Sequence, residues 1–363
     1  MSPSLLLQVP VFGIGVEQLL LLLVTALAGG AFGAAVGALP AFIFTGFVVF
    51  LGEGVAILQR EVGAVADIPA GELAAGITGV IGFGPITGPH IAFAGGVAAS
   101  AYAGKKYPEM NPADEGYHFG KDITYAFGTK PDILAVGAIF GALGMLLFRF
   151  LNGLFINVVG VMPPTDFLAV SVFTTAFLAR PVFGYPLVGR PAGDGLLDMG
   201  PFERDEKRTA TDGGAVSSRP ATEPWLPHQY EWAGVTAIGL VGGVLAGFIW
   251  LETGSFFLGY GLSAISLLFL NLGVEKIPVT HHITLLGSVG AAVAAPAVGF
   301  DPLIVLVGGL FGAASALVGE VTQRMFYSHS GTHVDPPAMA IGIMMLFVGV
   351  LAILGVLPSA GYL

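Results

Sequence analysis

The sequence has no cysteine and few charged residues. Its 363 residues contain only 10% Asp, Glu, Lys and Arg, whereas soluble domains carry about 25%. Without cysteine the chain can form no disulfide, thiolate metal site or cysteine nucleophile. Acidic residues outnumber basic ones by 24 to 14, for a net charge of −10, which argues against a nucleic-acid partner. An acidic surplus in loops is typical of halophilic, archaeal-like proteins, or simply of a solvated surface.

Several functional motifs are also missing. The chain has no P-loop sequence, so it has no motif for driving transport with ATP by itself. It also lacks the regularly spaced arginines of a voltage sensor. The first 15 residues contain no Lys or Arg, so we do not expect a cleaved signal peptide.

Apolar residues dominate what remains. They make up 55% of the chain, and the mean hydropathy is +0.83. Because a helix needs about 20 apolar residues to cross a bilayer, we predict an all-α integral membrane protein of the cell membrane with about 10 transmembrane segments. The predicted segments are 16–37, 39–58, 70–104, 131–156, 163–180, 232–251, 255–273, 282–299, 301–326 and 336–357.

A polar segment divides these apolar stretches into two groups. Residues 181–230 are rich in Gly, Pro and charge, which is typical of a linker. We therefore predict an N-terminal membrane repeat, 1–180, and a C-terminal membrane repeat, 231–363. Most Lys and Arg residues fall on the linker side of the membrane, so the positive-inside rule makes the linker cytoplasmic.

The two groups share sequence. Residues 131–156 align without gaps on 302–327, with nine identities in 26 positions. Residues 88–99 align on 280–291, which pairs His90 with His282. These matches predict an internal duplication. Five crossings per half would make the repeats inverted, which we favour, whereas four crossings and a re-entrant segment would make them parallel.

The third segment of the first half contains helix-breaking residues. Gly84, Pro85, Gly88 and Pro89 cannot all lie in one continuous helix. We therefore predict broken or re-entrant helices in the third segment of each half, with half-helix N-termini facing a cavity. The corresponding turns supply the candidate substrate-binding residues Thr87, His90, Thr280, His281 and His282. The alternative is that both turns are plain interfacial loops.

A second candidate cluster occupies 326–342, where His329, His333 and Asp335 lie close in sequence. We predict that Asp335 caps a helix whose first residue is Pro336. Asp335 is also a candidate substrate-binding residue, because a carboxylate there could bind a cation or a proton. With His329 and His333, it is alternatively a candidate metal ligand. The first half has a similar run, in which Asp166 follows two prolines.

Two charged residues fall inside predicted helices. Arg149 and Glu320 occupy equivalent positions in the aligned segments. Intramembrane charges usually have a function, so we predict a possible ion pair between them across the repeat interface. The alternative is that each side chain extends to the membrane surface independently.

The duplication and the broken segments resemble the broad class of internally duplicated (inverted-repeat) membrane transporters and channels. This resemblance implies a multi-pass permease that moves a small solute or ion through a site at the repeat interface. Its partners would be the lipid bilayer and that solute, and a homo-oligomer is compatible with the sequence. No cofactor is predicted, although a metal is possible. The alternatives are a non-catalytic subunit of a membrane complex and an intramembrane metalloenzyme using His329, His333 and Asp335.

Overall fold

The computed structural model describes residues 8–62, 75–111, 116–208 and 219–363. Ten main helices follow one another within these ranges. They are α1 (Val16–Val36), α2 (Ala38–Val62), α3 (Ala92–Lys106), α4 (Pro131–Gly153), α5 (Phe167–Val182), α6 (Trp232–Thr253), α7 (Leu258–Asn271), α8 (His281–Val298), α9 (Asp301–Phe326) and α10 (Pro336–Ile353). Shorter elements are the antiparallel strands β1 (Gln8–Val9) and β2 (Ile14–Gly15), π-helical turns at Ala75–Gly82 and Leu154–Val159, and short helical turns at Pro108–Met110, Phe119–Lys121 and Gly200–Glu203.

Seven described helices are long and apolar enough to cross a bilayer: α1, α2, α4 with its π-helical extension, α6, α8, α9 and α10. The other three are shorter, because α3, α5 and α7 have 15, 16 and 14 residues. At 1.5 Å per residue each rises only about 21–24 Å, less than the hydrocarbon thickness of about 30 Å. Ten crossings are therefore not confirmed among the described residues.

The broken segment lies only in the first half. There the π-helical turn Ala75–Gly82 is followed by nine non-helical residues, 83–91, before α3 begins. The aligned helix of the second half, α8, is continuous over 18 residues, so the break predicted for the third segment of that half, in the turn 274–285, does not continue into the helix. The irregular backbone of the second half precedes the helix, at 272–280, where Gly273 and Pro278 lie.

Each half contains three helices that meet at glycines. In the first half α1, α3 and α4 pack together, and in the second half α6, α8 and α9 do. A Cβ on Gly95 would lie 2.5 Å from the carbonyl oxygen of Gly30, and one on Gly287 would lie 2.6 Å from the Cα of Gly243. The helix backbones therefore touch directly, as small residues permit in membrane helices. The other glycines at these contacts are Gly137 and Gly141 in the first half, and Gly308 and Gly312 in the second.

Among the described residues, two helix pairs make the main contacts between the halves, and both are antiparallel. At the start of α5, Thr165 Oγ1 donates to the carbonyl oxygen of Gly342 in α10 (2.7 Å). At the end of α5, Arg180 Nε donates to Thr332 Oγ1, just before α10 (2.9 Å). The helices α2 and α7 also run in opposite directions. Gly46 lies against Ala264, whereas Glu53, further along α2, accepts from Ser255, which precedes α7.

Polar segments cover one end of the helices. We call residues 116–130, 181–208 and 219–230 the covering layer. Arg324 of α9 donates to the carbonyl oxygens of Leu197 and Tyr230 in this layer, at 2.8 Å each. The described part of the segment expected to be a linker is therefore packed onto the second half. Its carbonyl oxygens accept hydrogen bonds from the basic side chains Arg180 and Arg324 at the helix ends.

Large apolar side chains face outward on the long helices. Leu21, Leu245, Leu310 and Phe347, on four different helices, are each more than half exposed. Such a surface is unfavourable in water but suits contact with lipid. The composition and the helices together indicate a multi-pass membrane protein.

Candidate functional site

A cavity of about 860 Å³ lies between the two halves. Residues of α2, the irregular segment 83–91, α4 and α5 form one side, and residues of α7, α8 and α10 form the other. Most lining side chains are apolar or aromatic. The ionisable and phenolic groups in the lining are His90, Lys121, Asp122, Arg149, Asp166, Tyr260, His281, Tyr327, His333, Asp335 and Tyr362.

Two aspartates in this lining cap helices. Asp335 Oδ2 accepts from the backbone N–H of Ala338 at the start of α10 (2.9 Å), which confirms the predicted cap. Its Oδ1 lies 3.3 Å from His333 Nε2. Asp166 caps α5 in the same way through Ala169 (3.0 Å). The second oxygen of Asp166 accepts from the Tyr362 hydroxyl (2.8 Å), so both carboxylates are held by their helices and face the cavity.

Two of the histidines predicted from the broken turns also line the cavity. His90 packs against Phe148, with ring centroids 4.8 Å apart, and His281 packs against Phe42 at 4.7 Å. Both rings are buried, and neither Nδ1 has a hydrogen-bond partner among the described residues. These nitrogens are therefore polar groups left available within the cavity region.

The remaining candidates from the turns lie outside the lining. His282 is buried behind it, and its carbonyl oxygen accepts from Ser315 Oγ (3.2 Å). Thr87 Oγ1 donates to the carbonyl oxygen of Ile81 (2.9 Å). Thr280 Oγ1 donates to Ser263 Oγ (3.1 Å). These hydroxyls stabilise the irregular backbone around the site.

Arg149 and Glu320 are not paired in the structure. Glu320 accepts instead from Arg324 and Gln323 on its own helix. Arg149 is half-buried and lines the cavity near His90. The physical reason is spacing: Arg324 follows Glu320 by one helical turn, so the two side chains meet on the same helix face.

The candidate metal ligands His329 and His333 have different hydrogen-bond partners. His329 Nε2 lies 3.0 Å from the carbonyl oxygen of Leu196, whereas His333 faces Asp335. Within the described ranges, no three His, Cys, Asp or Glu side chains lie together as metal ligands would. His329 belongs to the contact between α9 and the covering layer.

A buried ion pair from the covering layer closes one side of the cavity. Lys121 Nζ lies 2.7 Å from Glu223 Oε2, and both side chains are almost fully buried. Arg219 also pairs with Glu223 (2.8 Å). Burial lowers the pKa of Lys121 to about 8, although Glu223 acts in the opposite direction. Burial would raise the pKa of Glu223, but Lys121 and Arg219 outweigh it and hold that pKa below its usual value.

Sequence reasoning missed several residues of the site. Lys121 and Glu223 lie in polar segments 102 positions apart, and no motif links them. Tyr260 and Tyr362 are isolated aromatic residues in apolar surroundings, and such residues usually belong to the core. Asp166 was visible as a carboxylate after two prolines, and its equivalence to Asp335 was the available signal.

The packing and the cavity define a helical, multi-pass membrane protein whose two halves enclose a partly polar site. Residues 12–363 match a family of unknown function, DUF7973, and the chain belongs to that family. No curated protein and no solved structure matches the chain.

Proposed function

We propose that the protein is a permease of the cell membrane that moves a small solute or ion through the cavity between its halves. The observation that carries this proposal is the cavity of about 860 Å³, which has walls from both halves. Membrane transporters built from repeats bind their substrates at such an interface. Carboxylates, an arginine and histidines within an otherwise apolar lining supply the polar contacts for a solute.

The equivalent packing of the halves supports an inverted duplication. The aligned pairs Gly95 with Gly287 and Gly137 with Gly308 make corresponding close contacts. Antiparallel pairing of α2 with α7 and of α5 with α10 is what a two-fold axis in the membrane plane would produce. A parallel repeat would instead set equivalent helices parallel. In this proposal α3, α5 and α7 complete five crossings per half, and the covering layer faces the cytoplasm.

Short and broken helices at the cavity also support the proposal. The segment 83–91 is irregular at the cavity wall, and unwound backbone in a membrane is tolerated where it lines a cavity. The helix starts at Asp166 and Asp335 bring two carboxylates to the same cavity. Rocking of one half against the other would expose these groups to each side in turn.

The proposal is tested by solute flux through reconstituted liposomes. A panel of small neutral, anionic and cationic solutes is followed by stopped-flow light scattering and membrane-potential dyes. Ala338→Trp would fill the cavity, because Ala338 is buried in its lining. Leu245→Trp, on the exposed face of α6, is the matched control.

We expect at least one solute to cross faster than in protein-free liposomes. That flux should be lost in Ala338→Trp and retained in Leu245→Trp. Flux that is unchanged in Ala338→Trp, or the absence of flux for the whole panel, would contradict the proposal.

A further inference from the structure

We infer that the cavity binds an organic cation, with its positive charge held by Asp166 or Asp335 and its apolar body against aromatic rings. The inference rests on the proposed function, since it names the class of substrate for the same cavity. Four features of the cavity lead to it: the balance of charge, the aromatic lining, the size, and the separation of the two carboxylates.

The ionisable groups in the lining leave a negative excess. Lys121 is neutralised by Glu223, which pairs with it from behind the lining. Three carboxylates, Asp122, Asp166 and Asp335, then face a single arginine, Arg149. Asp122 is turned toward its own loop, where it accepts from Thr124. The two capping aspartates therefore dominate the field in the cavity.

Both capping aspartates retain acceptor capacity. A carboxylate has about four lone-pair sites. Asp335 uses one oxygen for Ala338 and the other for His333, and Asp166 uses its oxygens for Ala169 and Tyr362. Each therefore has lone pairs left for a cationic group that enters the cavity.

Aromatic rings line the same cavity as the two carboxylates. Phe83 contacts both Tyr260 and Phe257, with ring centroids 5.7 and 5.1 Å apart, and Phe42 lies 6.0 Å from Tyr260. All four residues line the cavity. Tyr260 lies within electrostatic range of both Asp166 and Asp335. Because aromatic faces attract cations, this aromatic part of the cavity lining suits a positively charged organic group.

The size of the cavity favours an organic ion over a metal ion. Cavities of about 300–1,000 Å³ hold drug-sized molecules. A metal ion needs several ligating groups at short range, and the described part of the chain has no such group of three His, Cys, Asp or Glu residues. The unpartnered Nδ1 of His281, in a side chain that is 94% buried, offers a further polar contact for an organic ligand.

The carboxylates lie at different depths along the cavity. Thr165 and Pro164, next to Asp166, contact Gly342 and Gly349, which follow Asp335 by seven and 14 residues. At 1.5 Å per residue, roughly 10–20 Å of helix rise separates the two aspartates. A cation could therefore be bound first at one carboxylate and then at the other as it crosses the cavity.

The test uses two ions of the same shape and opposite charge. Binding of labelled tetraphenylphosphonium to the purified full-length protein is measured by scintillation proximity in detergent, with protein-free micelles as background. Binding of labelled tetraphenylborate is measured in separate samples, because the two ions pair with each other when they are mixed. The unlabelled form of each ion is its competitor. The variants are Asp166→Asn and Asp335→Asn, in which asparagine preserves the helix cap but removes the charge. Asp301→Asn, at the exposed start of α9, is the matched control.

We expect displaceable binding of the cation, no displaceable binding of tetraphenylborate, and affinity for the cation weakened by about tenfold or more in each cavity variant. The Asp301→Asn protein should bind like the unmodified chain. Displaceable binding of tetraphenylborate, absence of displaceable binding of the cation, or equal affinity for the cation in all three variants would overturn the inference.

The liposome panel separates this inference from the proposed function. Flux of anionic or neutral solutes alone, without cation binding, would overturn the inference and leave the permease proposal in place. Cation binding without any flux would support the inference and contradict the permease proposal.

Discussion

Replacing Gly287 by alanine should destabilise the protein, although alanine is the better helix former. The new Cβ would lie 2.6 Å from the Cα and 2.7 Å from the carbonyl oxygen of Gly243. Ordinary contacts of this kind begin near 3.4 Å, so α6 and α8 must move apart by close to an ångström. Backbone atoms cannot rotate away as a side chain can.

The magnitude follows from two opposing effects. Overpacking costs about 1–3 kcal/mol, and a contact between two backbones belongs in the upper part of that range. Helix propensity returns about 1 kcal/mol for Gly→Ala. We therefore expect a net loss of about 1–2 kcal/mol in the free energy of unfolding for Gly287→Ala. Gly54→Ala is the matched control, because Gly54 lies inside α2 with open space around it, and should stabilise by about 0.5–1 kcal/mol.

Thermal unfolding of the purified variants in detergent, followed by tryptophan fluorescence, measures these effects. The midpoint should fall for Gly287→Ala and rise for Gly54→Ala. Gly95→Ala should behave like Gly287→Ala, because Gly95 makes the corresponding contact in the first half. Equal shifts for Gly287→Ala and Gly54→Ala would refute the reasoning from close packing. A loss in only one of the two halves would refute their structural equivalence.

Three further predictions concern charged groups. Asp335→Ala should lower the free energy of unfolding by about 1 kcal/mol through loss of the α10 cap, whereas Asp335→Asn should not; chemical denaturation in detergent checks the difference. Glu223→Gln should lower the melting midpoint clearly, because it leaves buried Lys121 unpaired. Glu206→Gln, which breaks an exposed pair, should leave the midpoint nearly unchanged, and equal shifts would contradict the role of burial. The pKa of Lys121 is about 8 when folded and about 10.4 when unfolded, so the folded state binds fewer protons between these values. Stability should therefore rise with pH across that window, by about 3 kcal/mol; a Lys121→Met protein that shows the same rise would refute this origin.

The sequence was most informative where local chemistry decides the structure. The cap at Asp335 and the start of α10 at Pro336 follow from short-range hydrogen bonding, and the structure has both. The break before α3 likewise follows from two prolines and two glycines within six residues. The lengths of the apolar stretches predicted where most of the helices lie, because a segment buried in lipid must satisfy its backbone hydrogen bonds within a continuous helix.

Features set by tertiary packing were harder to predict. Whether an apolar run forms a full crossing depends on where its helix ends, and α7 stops after 14 residues although the run around it is longer. The alignment of the halves suggested Arg149 as the partner of Glu320, whereas helix geometry brings Arg324 to it. The pair of Lys121 and Glu223 joins segments far apart in the chain, so no local pattern could indicate it.

The covering layer also bears on the resting state of the molecule. Lys121, in the first half, pairs with Glu223, whose backbone N–H donates to the carbonyl oxygen of Ser328 in the second half. Together with the hydrogen bond from Arg180 to Thr332, these contacts hold the two halves together on the side of this layer. A motion that opened this side would bring these groups apart and leave buried charges without partners. If opening this side cost only about 3 kcal/mol, fewer than about 1% of the molecules would be open there at equilibrium. If the protein is the permease proposed above, its resting state should therefore be accessible from the opposite side, and a bound solute would have to shift that equilibrium.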